Sequence, residues 1–489
     1  MTNPLRLFRF LLIPLLAIAA NGQTLRVSGL FSDNMVLQRE TEAPVWGWAD
    51  PGEKVVVTGS WNKKSVDAVA ADDGKWTATL ETPKAGGPYE IKVKSVDKEI
   101  SLKNILCGDV WICGGQSNMQ WKMRGFGLEQ FAEDVKKANY PEIRFCTLPQ
   151  TLALEPQPDT KAPWKVCNPK TVLDFSAVGY FFGSRIHQEI GVPIGLISSN
   201  KGGSSAQAWI REQTLREKFP VFSGTLDTYP AKSKKAGALV NPKSPEHKGL
   251  NVQSPSLLYN SMIEPLAPFA MKGVIWYQGE SNMEDPIQYR ILFPAVIEEW
   301  RSLWKQGDFP FYFVQIAPFQ YKGSKYPAAL LREAQTMSLS VPKTGMAVTM
   351  DVGAADNIHP KEKKPVGERL ALLALARTYG KSEIVDSGPM YREMKVEGDQ
   401  IRLGFDHSDG GLTTDDEKEL RHFTIAGSDK VFHPATATID RNTVVVGSDK
   451  VSHPKAVRFG WGNADDTNFI NKEGLPSPSF RTDDWPFQP

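Results

Sequence analysis

A chain of 489 residues is long for one domain, and 41% apolar with 23% charged residues is the composition of a globular protein able to bury a large core. Its 57 basic and 56 acidic residues leave a net charge of +1, which gives no reason to expect nucleic acid or an anionic membrane as partner. A neutral substrate fits this balance at least as well.

In chain order, Arg6 and Arg9 precede the apolar run FLLIPLLAIAA (Phe10 to Ala20), and small and polar residues follow. A basic start, a short apolar stretch and an Ala-x-Ala-like site describe a signal peptide over residues 1–22, and hence an exported, periplasmic or extracellular protein. The run is too short to span a bilayer, which needs about 20 apolar residues. Residues 23–103 read as a small β-sandwich. PVWGWA (Pro44 to Ala49), KVVVTG (Lys54 to Gly59) and YEIKVKS (Tyr89 to Ser95) are short strands punctuated by Asp50-Pro51-Gly52, Asp72-Asp73-Gly74 and Gly86-Gly87-Pro88.

From 104 to 387 the rhythm becomes strand, loop, helix. DVWIC (Asp109 to Cys113), IGLISS (Ile194 to Ser199), KGVIWYQ (Lys272 to Gln278), PFYFVQIA (Pro310 to Ala317) and TGMAVTMDV (Thr344 to Val352) are the buried-strand candidates. Helical spacing marks Ser176 to Gly191, Ile287 to Trp304 and Val366 to Gly380. Such alternation predicts an α/β fold with a mostly parallel sheet covered by helices. The polar segment from Thr225 to Val252 reads as a solvated surface loop, with a binding lid as the alternative. Residues 388–489 turn β-rich again. The four cysteines (Cys107, Cys113, Cys146, Cys167) lack the spacing of a zinc site; in an exported chain a Cys146–Cys167 bridge is open. No metal or cofactor is indicated.

Ligands of open α/β sheets bind beyond the carboxyl ends of the strands. The residues that follow these strands are GGQSNM (Gly114 to Met119), NKGGSSAQAW (Asn200 to Trp209), QGESN (Gln278 to Asn282) and DVGAADNIHP (Asp351 to Pro360). These are the parts for acyl transfer. Ser117 needs a base to become a nucleophile, His359 is the histidine that follows a buried strand, and Asp356 three residues earlier can orient it. Oxyanion donors come from the backbone N–H of Ser117, an N–H of the Gly202-Gly203 turn and the Gln278 amide. Each block read alone is more often a turn or a surface pair; the combination is what argues for a serine hydrolase.

The same blocks, with LFSDNMVLQ (Leu30 to Gln38), LLYNSMIEPLAPF (Leu257 to Phe269), LREAQ (Leu331 to Gln335), HPKEKKPVGERLA (His359 to Ala371) and NKEGLPSPSFRTDDW (Asn471 to Trp485), resemble the sialate O-acetylesterase family within the SGNH hydrolases, to which acetylxylan esterases are related. The resemblance implies an SGNH-hydrolase-like fold and removal of O-acetyl groups from carbohydrate by Ser117, His359 and Asp356. It assigns Ser117, Gly203 and Gln278 to the oxyanion hole. Asn118, Trp209, Glu280 and Arg332 stand beside these blocks as expected substrate-binding residues, with pairing to Glu280 as the other reading of Arg332. Either Trp121, Trp209 or Trp276 stacks on a sugar, or all three are core. An acetylxylan or general carbohydrate esterase, and a glycan-binding protein without catalysis, are the alternatives.

Overall fold

The computed structural model describes residues 24–125, 130–230 and 239–487; the expected signal peptide lies outside them. One strand organises the fold. In β1 (Glu99–Gly115), burial alternates at first, with Leu102 inside and Ser101 and Lys103 outside, and is then continuous from Ile105 to Gly115. An alternating stretch suits a sheet with one wet face, and a continuous one suits a strand covered on both faces. Accordingly the first half pairs antiparallel with Gly86–Lys94 of the N-terminal β-region. The second half runs between two parallel neighbours. The expected boundary at 103/104 therefore falls inside a strand, and one 11-stranded sheet joins the two regions.

After β1 come β2 (Tyr140–Thr147), β3 (Lys165–Cys167), β4 (Ile194–Asn200), β5 (Gly273–Tyr277), β6 (Phe311–Val314) and β7 (Thr344–Ala347). The spatial order is β3-β2-β4-β1-β5-β6-β7. All neighbours are parallel except β3, which runs antiparallel to β2, so the sheet is mixed. Helix α1 (Ser117–Gln120) is a single turn directly after β1. The longer helices are α2 (Ala177–Ile190), α3 (Pro286–Trp304), α4 (Ala328–Met337) and α5 (Lys363–Arg377). Side-chain alternation along β1 assigns the two layers: Val110 and Ile112 join a core with Trp276, Trp300 and Phe293, whereas Trp111 and Cys113 join one with Phe181, Phe182 and Leu370.

That alternation also answers the disulfide question. All four cysteines are buried and free. Cys146 belongs to one layer and Cys167 to the other, and Cys167 stands opposite Tyr140 in the ladder, six residues from Cys146. No bridge forms across a sheet in that geometry.

The C-terminal region holds two four-stranded antiparallel sheets, with Ile401, Phe423, Val444 and Phe459 in a core of its own. It is fastened to α4. Pro327 precedes that helix and has no side-chain acceptor to cap it; Asn463 Oδ1 accepts from Ala328 N at 2.7 Å instead.

Candidate active site

The ends of β1, β4 and β5 are level. Gly115 stands between Asn200 and Tyr277 in the two ladders. A Cβ on Gly115 would lie 2.2 Å from the Tyr277 carbonyl oxygen, and the residue has φ +124°, so only glycine fits there. From this point the chain turns into α1, which Ser117 opens half-buried. As first residue of a helical turn, Ser117 has no intrahelical acceptor for its N–H.

The second block hangs from the first. Lys201 N donates to Gly115 O at 2.9 Å, and Gly202 N donates to Gln120 Oε1 at 2.6 Å. Gln120 Nε2 reaches Gln150 Oε1 at 3.1 Å, and Gln150 Nε2 in turn holds Asn200 O at 3.1 Å. Gly202 packs on Ser117, with its built Cβ position 3.5 Å from the serine Cβ. The N–H of Gly203, exposed in this turn, has no acceptor among the described residues.

The histidine loop follows β7 and returns to the same rim. Asn118 Nδ2 donates to Ile358 O at 3.1 Å, which fixes the peptide before His359, and the His359 ring lies 5.4 Å from that of Trp121. Burial, with the positive charge of Lys363 adding to it, holds the His359 imidazole below the ordinary value of 6.5. Asp356 is exposed, and among the described residues no hydrogen bond or ion pair joins it to His359; the backbone N–H of His359 donates to Asn357 Oδ1 at 2.9 Å.

Other expected site residues are committed elsewhere. Gln278 is fully buried; its amide nitrogen donates to Ser204 O (3.2 Å) and Asn282 Oδ1 (2.7 Å), and its oxygen accepts from Tyr289 (2.9 Å). With both N–H groups engaged, it braces the glycine turn instead of facing a substrate. Trp209 is fully buried, bonded through Nε1 to Ser204 Oγ at 3.0 Å and set edge-on to Trp276 at 5.7 Å, so both indoles are core. Arg332 neither lines the site nor pairs with Glu280. It is fully buried against the C-terminal region, where it donates to Ser479 Oγ (3.0 Å), Gly460 O (2.9 Å) and Gly462 O (2.6 Å).

Asn118 and Glu280 are buried as well, behind the rim, and bonded to each other at 2.6 Å. Burial raises the Glu280 carboxyl above the usual range. Sequence reasoning missed Lys363 and Gln120, both of which touch this network. Gln120 had a usable signal, since it lies three residues after Ser117 on the same turn. Lys363 had none, being one charge in a charged run.

Comparison with known proteins decides the family. The family model described as carbohydrate esterase, sialic acid-specific acetylesterase, matches residues 107–239 and 244–376. The chain belongs to this family of carbohydrate esterases. The sialate O-acetylesterase of Homo sapiens is 30% identical over 424 residues, covering 79% of this chain and 77% of that protein. The Mus musculus enzyme is 30% identical over 444 residues, or 81% of each chain. A crystal structure of a carbohydrate acetylesterase from Xanthomonas citri is 38% identical, with TM-score 0.83, covering 94% of this chain and 100% of the other. The first part of the family match spans the first two strand-end blocks and the second part spans the third and the histidine loop, so this carbohydrate esterase carries its rim within the matched region.

Proposed function

We propose that this esterase is an exported serine hydrolase of the SGNH type that removes O-acetyl groups from carbohydrate through an acetyl-enzyme. The observation carrying this reading is the convergence at one sheet rim: the Ser117 turn, the Gly202-Gly203 turn hung from Gly115, and the His359 loop tied in through Asn118. In the first step Ser117 Oγ attacks the acetyl carbonyl and His359 takes its proton, as a neutral imidazole can. The N–H groups of Ser117 and Gly203 receive the oxyanion. The sugar hydroxyl leaves with the proton from His359; water activated by the same ring then releases acetate. Asp356 orients the imidazolium. Catalytic hydrogen bonds of free enzymes commonly tighten only when substrate is bound, and Asp356 stands exposed three residues before His359 in the same loop.

A cavity of about 640 Å³ is lined by Asp356, Glu284, Phe319, Tyr321 and Lys322. Aromatic faces with polar groups at the rim suit a sugar. A broader carbohydrate substrate than sialic acid is favoured by the higher identity to the carbohydrate acetylesterase than to the sialate enzymes. Two carboxylates against one lysine in that cavity also suit a neutral sugar better than an anionic one.

The test measures acetate released from O-acetylated sialic acid and from acetylated neutral glycans by the wild type and by Ser117→Ala. We expect Ser117→Ala to lose at least about 10³-fold in turnover with the fold intact. Retained turnover in that variant would remove the serine mechanism.

A further inference from the structure

The helix after the histidine loop opens with a lysine turned inward. Lys361, Glu362 and Lys364 around it are exposed, whereas Lys363 is fully buried. Its Nζ donates to Asn118 Oδ1 at 2.5 Å and lies 5.3 Å and 5.7 Å from the ring centroids of Trp121 and Tyr277. A buried ammonium gives up its hydration, so a lysine kept there needs compensation. Here the compensating carboxylate, Glu280, does not touch it: the Asn118 amide stands between, with its oxygen toward the cation and its nitrogen toward the anion. The two charges thus fix which way the amide points. Reversal would set donor against donor and acceptor against acceptor. The remaining N–H of Asn118 then has one direction available, toward Ile358 O.

We propose that Lys363 is a positioning residue of the esterase reaction, its buried ammonium fixing through Asn118 the placement of the His359 loop on the Ser117 turn. The proposal rests on the reading of Ser117 as nucleophile and His359 as base. Asn118 is the residue after the one and bonds the residue before the other, so a single amide sets both. Lys363 also acts on His359 through its charge, which opposes protonation of the ring. The titratable groups facing this lysine are Glu280, His359 and Tyr277. Tyr289 and Tyr321, which feel the charge of Glu280, are kept protonated by burial and do not titrate with the histidine. Burial brings Lys363 itself down to about 7, against the pull of Glu280.

Two variants separate the bond from the charge. Lys363→Met removes both; Lys363→Gln keeps a donor for Asn118 without the charge. The readouts are the pH profile of kcat/KM on an acetyl ester and the His359 imidazole titration by NMR of [13Cε1]-histidine protein, assigned with His359→Gln. Without the charge the imidazole keeps its proton to a higher pH, so the acid limb and the NMR midpoint move up together in both variants. At the pH optimum, Lys363→Met loses about 10–100-fold in kcat with little change in KM, and Lys363→Gln recovers most of it. If Lys363→Met does not fold, the polar Lys363→Gln still carries the titration. Wild-type rates with an unmoved midpoint overturn the proposal. So does a loss of activity that follows melting temperature while the midpoint stays in place, which marks a purely structural lysine. An inactive wild type, or an active Ser117→Ala, defeats the functional reading separately, because the NMR midpoint needs no turnover.

Discussion

Gly115→Ala tests the idea that one glycine sets the whole rim. The new Cβ would sit 2.2 Å from Tyr277 O, 2.7 Å from its carbonyl carbon and 2.8 Å from its nitrogen. All three are backbone atoms of a fully buried strand, so no side chain can swing away. Alanine at φ +124° adds about 1–3 kcal/mol of strain, and forcing the two strands apart adds about 1–3 kcal/mol more. The displacement is passed on, because Gly115 O holds Lys201 N and Tyr277 O holds Gln116 N at 2.8 Å. Ser117 and the Gly203 N–H therefore move together. A misplacement of about 1 Å costs on the order of 10²-fold in rate. Urea denaturation and acetate release should show about 2–6 kcal/mol of lost stability and at least about 10²-fold lower kcat. Gly52→Ala is the control: its φ of +78° carries strain, nothing lies within 4 Å, and the site is remote, so about 1 kcal/mol is lost with kcat unchanged. If Gly115→Ala matched Gly52→Ala in both assays, the rim would not depend on that close approach.

Two further outcomes follow from where charged groups lie. Arg332→Met removes three charge-assisted hydrogen bonds and strands Gly460 O and Gly462 O, against the relief of no longer burying a cation. About 2–4 kcal/mol should be lost, seen as faster hydrogen exchange in 388–487, while KM stays near wild type because the residue does not face substrate. Asp356→Asn should leave stability within about 0.5 kcal/mol, since the side chain is exposed, yet lower kcat by about 10²–10⁴-fold; an unchanged kcat would remove it from the reaction.

Strands and helices were legible where burial repeats along the chain. IGLISS and KGVIWYQ coincide within a residue with Ile194–Asn200 and Gly273–Tyr277, and the pattern from Ile287 to Trp304 became Pro286–Trp304. Tyr140–Thr147 escaped notice because only Ile143 to Cys146 are buried in it, behind a proline and a glutamate. Helix α5 begins at Lys363, three residues before its apolar pattern, because the charges there hide the one that is buried. The order of site blocks is local information and could be read. Where Arg332 and Trp209 point is not, since their surroundings are set by packing: the partners of Arg332 lie 128 to 147 residues away. A polar or aromatic residue near a catalytic block looks the same in sequence whether it faces a substrate or props up the turn that does.

Gln278 shows how that ambiguity is resolved by measurement. A glutamine at a strand end, one residue from a half-open rim, has the chemistry of an oxyanion donor. Its hydrogen bonds to Ser204 O, Asn282 Oδ1 and Tyr289 give it a different task, holding the second and third blocks together. The two roles differ in what their loss does. Gln278→Met, similar in volume, would strand the buried Ser204 O, while Asn282 Oδ1 keeps Ala206 N and the Tyr289 hydroxyl keeps the Gln278 backbone oxygen, so unfolding by urea should show about 1–3 kcal/mol of lost stability. The rate should fall with it, as the Gly203 turn loosens. A direct donor would behave otherwise, with about 10²–10³-fold lost in kcat at nearly unchanged stability. That second pattern would return Gln278 to the oxyanion hole; the first leaves the backbone of Ser117 and Gly203 to hold the developing charge.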